Sequence, residues 1–317
     1  MLEQDSKGIS YTGGFFMLIA FAFGSLILAY LLSIPVWTSL TGKSIDAWMD
    51  GNISGEDKNA MRLIQLITAV IGFFLPAVLT ASILNRRPMN LLGFQGKISW
   101  KQAGLIFAIV VAALFVSGFF GWVNDIIPIS DEWRARFQRM EDDYNKQVVA
   151  IIALDSPIDF LVALVIMAFL PALCEETLFR GGFQNFLTRA TRIPWLSIGI
   201  VSIMFSLLHF SYFGFLPRLA LGIMLGVVYH CSGRLWLCIL AHFLNNALAL
   251  TVMYAYKLQG KTLEEALKEA TPTWVGIFAV PVLVFLLYIF YKASYRKNAK
   301  PAQFTFEQNP GNPSDGI

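Results

Sequence analysis

The chain has 317 residues, of which 56% are hydrophobic and 14% are charged, and its formal net charge is +3. Soluble domains carry about 25% charged residues, so the composition excludes an ordinary soluble domain and indicates a membrane protein. The small net charge, with its basic residues in loops, also argues against a nucleic-acid partner.

Apolar segments long enough to cross a bilayer recur along the chain. A helix needs about 20 apolar residues to cross the hydrocarbon core, and eight segments approach this length, the sixth being short. The first has no basic leader and no cleavage site, so it is expected to be a retained span rather than a signal peptide. We therefore predict an all-α polytopic bundle of about eight transmembrane helices, at residues 14–37, 63–84, 103–127, 157–173, 194–213, 217–231, 235–256 and 274–291.

Basic residues in the loops predict the orientation. If the chain has eight spans, the basic loops and the segment after the last span lie on one side of the membrane. The positive-inside rule makes that side cytoplasmic. Both termini are then cytoplasmic, in a plasma (inner) membrane. The opposite side carries a long loop at 130–156 of mixed charge. The basic residues that define the cytoplasmic side are Arg86, Arg87, Lys97, Lys101, Arg189, Arg192, Arg234, Lys292, Arg296, Lys297 and Lys300.

The chain is predicted to form one transmembrane domain. It comprises residues 14–295, preceded by a cytoplasmic segment, 1–13. The tail at 296–317 is rich in Pro, Asn and Gly, and we expect it to be disordered.

Charged residues follow the apolar run of the fourth span, in the sequence Cys-Glu-Glu-Thr-Leu-Phe-Arg. Ionisable groups in or beside hydrocarbon are functional candidates. Glu176 and Arg180 share a helix face at i and i+4 and are predicted to form a supporting ion pair. Glu175 points elsewhere, has no basic residue one turn away, and is therefore free to act as a general base. Pro171 leaves the carbonyl of Met167 without its helical donor and predicts a kink.

Polar side chains on two later spans can meet this charged segment. His209 lies near the end of the fifth span, four residues after Phe205. His242 and Asn246 share one face of the seventh span. Buried polar groups on a membrane helix must bond inside the bundle, and the charges of the fourth span are the available partners. Asn245 is expected to be a packing group, and His230 an interfacial histidine.

The patterns Glu-Glu-x-x-x-Arg, Phe-x-x-x-His and His-x-x-x-Asn, in this order on three spans, resemble the CPBP family. That family comprises CAAX prenyl endopeptidases of the Rce type, bacteriocin-processing and bacteriocin-immunity proteins, and Abi-type intramembrane proteases. The resemblance covers a core at about residues 157–256.

The resemblance implies an intramembrane endopeptidase that acts on a membrane-associated or lipidated peptide. It implies that Glu175 and His209 activate a water molecule, and that His242 and Asn246 stabilise the oxyanion. Glu176 and Arg180 would brace the site. It implies no cofactor.

Other functions remain open at this stage. Glu175 with the two histidines could hold Zn²⁺ or another divalent ion, although the sequence has no His-Glu-x-x-His and the ligands would come from separate helices. Cys174 is a weaker candidate nucleophile because carboxylates adjoin it. Outside the enzyme class, the same buried charges could serve an immunity or scaffold protein, or an ion-coupled carrier. The absence of matching Gly/Pro-interrupted halves argues against the carrier.

Overall fold

A computed structural model describes residues 5–152, 154–262 and 273–295. The predicted all-α membrane bundle is confirmed: the described residues contain no strand, and helices run along most of their length. The predicted disordered tail at 296–317 lies outside the described residues. The long helices are α1 (Tyr11–Thr41), α2 (Gly55–Leu84), α3 (Trp100–Ile126), α4 (Asp131–Ile152), α5 (Pro157–Thr191), α6 (Pro194–Leu207), α7 (Phe215–Ser232), α8 (Leu235–Leu258) and α9 (Ala279–Tyr295). Short helices cover Ile45–Met49, Pro88–Leu91 and Trp274–Phe278.

Seven helices in the described residues are long and apolar enough to cross a membrane, so the chain is an integral multi-pass membrane protein. The fifth predicted span, at 194–213, is wrong in length, because α6 has only 14 residues and ends at Leu207. The backbone turns at Phe210, which has a φ of 49°, a left-handed conformation that a helix does not contain. The sixth span, expected to be short, has 18 residues.

Local sequence explains where the spans begin and bend. Pro157 and Pro194 occupy first helical turns, where the missing N–H is not needed. Prolines also lie inside α2 and α5, at Pro76 and Pro171, and each follows a π-helical segment, Thr68–Phe74 and Leu164–Phe169. A proline cannot donate to the carbonyl four residues earlier, so the hydrogen-bond ladder of each helix shifts there.

The basic loops gather at one face of the bundle, which we call the basic face. The Asn185 amide donates to the Leu91 carbonyl, the Arg234 guanidinium donates to the Lys97 carbonyl, and the Arg86 amide donates to the Asp5 carbonyl. Near the end of α9, Phe290 packs in a core cluster with Ile106 and Tyr229. Both ends of the described chain therefore lie at the basic face.

The segment 130–156, expected to be a loop, is mostly the helix α4. Its sequence is polar along most of its length, so hydropathy gives no sign of it, and only its last turn, Ala150–Ile152, is buried. At the face opposite the basic loops, the Phe137 ring stacks on the Tyr212 ring with 4.6 Å between centroids, and Ser211 donates to Glu141 across 2.6 Å. The helix α4 thus covers the turn that follows α6.

The helix α5 lies at the centre of the bundle. Its 35 residues span about 52 Å at 1.5 Å per residue, well beyond the hydrocarbon thickness. Ala172 packs with one core cluster, formed with α3, α7, α8 and α9, and Phe179 packs with another, formed with α1, α2 and α6. The Glu175–Glu176 pair therefore lies in the middle of a helix between two cores, and the expectation that the pair ends the fourth span is wrong.

Candidate active site

Glu176 joins two helices through one carboxylate oxygen. Its side chain is fully buried, and Oε1 accepts hydrogen bonds from Nη1 of Arg180 at 3.0 Å and from Nδ1 of His242 at 2.8 Å. The predicted ion pair with Arg180 is present. The bond to His242 shows that the charged segment of α5 is the partner of this histidine, as expected. Glu176 thus fixes the position of an imidazole as well as neutralising Arg180.

Arg180 is held by aromatic rings and by a backbone carbonyl. Its Cζ atom lies 4.8 Å from the ring centroid of Phe205, and its Nη2 atom donates to the carbonyl of Gly222 at 3.1 Å. The Phe205 ring also packs against the rings of His209 and His242, at 4.8 and 5.9 Å between centroids. Phe205 is therefore the contact that brings α6 to the charged pair on α5.

Two glycines on α7 let this helix pack closely against α5 and α6. Gln184 repeats the contact of Arg180 one turn later, since its Nε2 atom donates to the Gly226 carbonyl at 2.9 Å. A Cβ at Gly222 would lie 3.0 Å from the side chain of Ser202, and one at Gly226 would lie 3.0 Å from Gln184. The Gly-x-x-x-Gly sequence thus exposes two carbonyls to side chains of α5, in the manner of close helix pairs in membranes.

The hydrogen bonds of the two histidines determine which ring nitrogen carries the proton. Nδ1 of His209 lies 2.7 Å from the carbonyl oxygen of Phe205, and Nδ1 of His242 lies 2.8 Å from the Glu176 carboxylate. Both oxygens can only accept, so each Nδ1 is assigned the proton. In the neutral rings, Nε2 of each histidine then has a free lone pair for a proton or a metal ion.

Glu175 has no hydrogen-bond partner among the described residues. Its Oε2 atom is buried and unsatisfied, and the carboxylate interacts electrostatically with His242, Arg180 and Arg218. The prediction that Glu175 and Glu176 have different environments is confirmed by this geometry. A buried carboxylate oxygen without a donor is available to bind water or substrate.

Asn246 faces the part of α5 that Pro171 disturbs. Its Nδ2 atom donates to the Met167 carbonyl at 3.5 Å, and its Oδ1 atom accepts from Asn245 at 3.1 Å. The carbonyl is the one that Pro171 leaves without its helical donor. A contact of 3.5 Å is long for an N–H···O bond, so the amide of Asn246 is loosely held.

The structure gives less support to a metal site, to Cys174 and to His230 as parts of the active site. No group of three or more His, Cys, Asp or Glu side chains in the described part of the chain is placed to hold a metal ion, so Glu175, His209 and His242 do not form a ready three-ligand set. Cys174 is buried, with 1% of its surface exposed. His230 is exposed, and its ring lies 6.0 Å from the ring of Trp195.

Arg218, in the first turn of α7, was not predicted from the sequence. Its guanidinium interacts electrostatically with both Glu175 and His209, and its Nη1 atom is buried with no hydrogen-bond partner in the part of the chain that the structure describes. A basic residue at the start of an apolar span was the available signal, since such residues are costly in membranes.

Comparison with protein families now identifies the segment that carries the site. Residues 157–248 match the model of the family described as Rce1-like, type II CAAX prenyl endopeptidase. This segment is Rce1-like. The match confirms the resemblance to CAAX-protease-like CPBP proteins, and at family level it supports an intramembrane protease of the CAAX type. Searches of curated proteins and of solved structures found no match.

The Rce1-like segment contains every candidate site residue. It begins at the first residue of α5 and ends within α8, so it includes α6 and α7 and excludes α1 to α4 and α9. Outside it, α1 and α2 pack on α5, and α4 covers the turn that holds His209.

Proposed function

We propose that the chain is an intramembrane endopeptidase that hydrolyses a peptide bond in a membrane-associated or lipidated substrate. The observation that carries this proposal is the buried, unsatisfied oxygen of Glu175 beside the Glu176–His242 hydrogen bond. The Rce1-like match supports the same reaction class.

In the proposed reaction, a water molecule is activated between Glu175 and His209. The Phe205 carbonyl keeps the proton on Nδ1 of His209, so Nε2 can accept a hydrogen from water. The Glu175 carboxylate accepts the proton as the water oxygen attacks the carbonyl carbon of the substrate. That proton is then passed to the amine that leaves when the peptide bond breaks. General-base catalysis of this kind contributes about 10²- to 10⁴-fold to a rate.

The negative charge that develops on the substrate oxygen requires hydrogen-bond donors. Asn246 can supply one, because its long contact with the Met167 carbonyl is easily exchanged for a stronger one. His242 can donate from Nε2 when its ring is doubly protonated, with Nδ1–H still accepted by Glu176. Glu176 and Arg180 are assigned a supporting role, since they hold His242 and the α5–α7 contact in place.

A metal-dependent mechanism is the second candidate because the histidines are oriented as metal ligands often are. When a histidine binds a metal ion through one ring nitrogen, the other ring nitrogen commonly donates to a carboxylate or a carbonyl. Nδ1 of His242 and Nδ1 of His209 make such bonds here. We favour direct activation of water by Glu175 because the described side chains offer no preformed set of three ligands.

The deciding experiment is a cleavage assay with the full chain reconstituted in liposomes. Substrates would be a farnesylated peptide ending in a Cys-a-a-X sequence and a peptide anchored by a transmembrane helix, each with a fluorophore and a quencher on either side of the cleaved bond. Glu175→Gln is the test variant. Glu132→Gln is the matched control, because Glu132 is exposed on α4 and the chemical change is the same.

We expect cleavage by the natural chain and by Glu132→Gln, and a loss of at least about 100-fold in kcat for Glu175→Gln. Thermal unfolding in detergent would show that the variant is folded. Peptide binding without cleavage by any form would support a scaffold or immunity protein instead. Undiminished cleavage by Glu175→Gln would refute the assignment of Glu175 as the general base.

A further inference from the structure

Asn124, near the end of α3, bonds to the turn that joins α6 to α7. Its side chain is buried, with 2% of its surface exposed. Its Nδ2 atom donates to the Tyr212 carbonyl at 2.9 Å, and its Oδ1 atom accepts from the Leu216 amide at 3.2 Å. Both groups of one buried amide are therefore engaged by the turn that begins with His209.

The Oδ1 atom of Asn124 caps the start of α7. This helix begins at Phe215, and Gly214 before it has no side chain to accept from the first amides of the helix. Those amides have no partner inside their own helix, and an unsatisfied one within a membrane bundle is costly. The oxygen of a capping residue commonly accepts from the second helical amide, which here belongs to Leu216. Asn124 supplies that oxygen from another helix, so the start of α7 is tied to α3.

Phe210 makes the turn depend on such a tie. Its φ of 49° lies in the left-handed region, which is unfavourable for a residue with a Cβ atom. The side chain of Phe210 is 73% exposed, so its own packing does little to offset this cost. If the turn were released, Phe210 would favour the right-handed conformation, and α6 would continue beyond Leu207.

The end of α6 leaves the Phe205 carbonyl for the ring of His209. In a continuing α-helix, the His209 amide would donate to the carbonyl four residues earlier, that of Phe205. Here the amide donates to the Ser206 carbonyl at 3.3 Å, and the Phe205 carbonyl lies 2.7 Å from Nδ1 of His209. That bond keeps the proton on Nδ1 and leaves the lone pair on Nε2. The conformation of the turn therefore determines the tautomer of His209.

We propose that Asn124 is a positioning residue for His209. By holding the turn from α3, it keeps the Phe205 carbonyl available to Nδ1 and thereby keeps Nε2 free to accept a hydrogen from water. Asn124 lies outside the matched segment, 157–248, so a helix beyond the Rce1-like segment takes part in ordering the site. The inference rests on the proposed function, which assigns the activation of water to Glu175 and His209.

The kinetic test replaces Asn124 with a residue of similar size that forms no hydrogen bonds. Asn124→Leu is expected to lower kcat on the fluorogenic peptide by about 10- to 100-fold, as small displacements of a catalytic group do, and to leave KM nearly unchanged. Asn124→Gln keeps the amide group and should restore part of kcat. Asn185→Leu is the matched control, because Asn185 is also buried and donates to a carbonyl of another segment, that of Leu91, at the basic face. It should keep kcat, although both leucine variants should unfold earlier.

The tautomer of His209 can be measured without any substrate. Solid-state ¹⁵N NMR of the chain in liposomes, labelled in its three histidines, distinguishes ring nitrogens with and without a proton. At alkaline pH, where the rings are neutral, we expect the proton of His209 on Nδ1 in the natural chain and in Asn185→Leu. In Asn124→Leu, we expect it to be shared between Nδ1 and Nε2. The signal of His242 should be the same in all three chains, and His209→Gln identifies the signal of His209.

A second substitution tests whether the turn is the link. Glycine adopts the left-handed conformation readily, so Phe210→Gly should hold the turn without help from Asn124. We expect Phe210→Gly to restore both kcat and the Nδ1 proton in a chain that also carries Asn124→Leu. If the double variant behaves like Asn124→Leu alone, the proposed link through the turn is overturned.

The two measurements separate this inference from the proposed function. A His209 signal that changes in Asn124→Leu, together with a natural chain that cleaves no peptide, would support the role of Asn124 and refute the peptidase. Cleavage by the natural chain, with kcat and the His209 signal unchanged in Asn124→Leu, would overturn the role of Asn124 and leave the peptidase standing. Equal losses of kcat in Asn124→Leu and Asn185→Leu would reflect general destabilisation and would overturn it as well.

Discussion

Nδ1 of His242 donates to Oε1 of Glu176 across 2.8 Å, and this bond joins helices α5 and α8 through residues that are 66 positions apart. The same oxygen accepts from Arg180. One atom therefore links the ion pair predicted from the sequence to a histidine with a proposed catalytic role. The neighbouring Glu175 has no such bonds with the described residues, and this contrast makes the two carboxylates separable by mutation.

Glu176→Gln is expected to lower stability, whereas Glu175→Gln is not. Removing one partner of a buried ion pair costs about 3–5 kcal/mol, because the other charge is left uncompensated, and Arg180 is only 1% exposed. The measurement is the midpoint of thermal unfolding in detergent, read with a thiol-reactive dye. A Glu175→Gln variant that unfolded as early as Glu176→Gln would contradict the different roles of these residues.

Alanine at Gly222 or Gly226 is expected to loosen the packing of α7 against α6 and α5, respectively. The added methyl groups would lie 3.0 Å from the side chains of Ser202 and Gln184, respectively, and overpacking of this kind costs about 1–3 kcal/mol. Gly199→Ala in α6 is the control, since nothing lies within 4 Å of its added Cβ. Unfolding midpoints should fall for the first two variants only. Equal midpoints for all three would argue against close packing at this contact.

Asn246→Ala is expected to reduce kcat with little change in stability. The oxyanion donor that it removes is typically worth about 10²- to 10³-fold in rate, while the bond lost in the resting structure is a long one of 3.5 Å. Asn245→Ala should have a smaller effect, because among the described residues the amide of Asn245 donates only to Asn246. Kinetics on the fluorogenic peptide provide the comparison. If Asn246→Ala raised KM and left kcat intact, Asn246 would be a substrate-binding residue.

Metal chelation is expected to leave cleavage unchanged. In the proposed reaction, Glu175 and His209 act on water directly, so incubation with EDTA or 1,10-phenanthroline followed by desalting should not lower kcat. The metal content of the purified chain would be measured in parallel. If activity were lost and one divalent ion restored it, we would instead conclude that the free Nε2 lone pairs of both histidines bind a metal ion.

The basic face is expected to lie in the cytoplasm. Lys97 at this face and Ser130 at the opposite face are both exposed, so each can be replaced by cysteine in a chain without its natural cysteines. A membrane-impermeant thiol reagent should label Ser130→Cys in intact cells and Lys97→Cys only after permeabilisation. The reverse pattern would contradict the positive-inside assignment.

The membrane class, most of the spans and the Glu176–Arg180 pair could be predicted from the sequence alone. Each depends on local properties, namely the length of apolar runs and the i, i+4 spacing on a helix. Charged residues are rare in this chain. The few that lie inside apolar segments therefore indicated candidate functional residues. Pro171 likewise predicted a free carbonyl at Met167, and the structure shows that Asn246 contacts it.

Which side chains contact one another depends on how the helices pack. The Glu176–His242 bond, the Phe205 ring between three functional side chains and the isolation of Arg218 depend on helices that are distant in sequence. The helix α4 was missed because it is held by contacts at its ends and along one face rather than by an apolar run. The end of α6 at Leu207 was missed for a related reason: hydropathy continues through Phe213, and the left-handed backbone of Phe210 is not a conformation that its residue type favours.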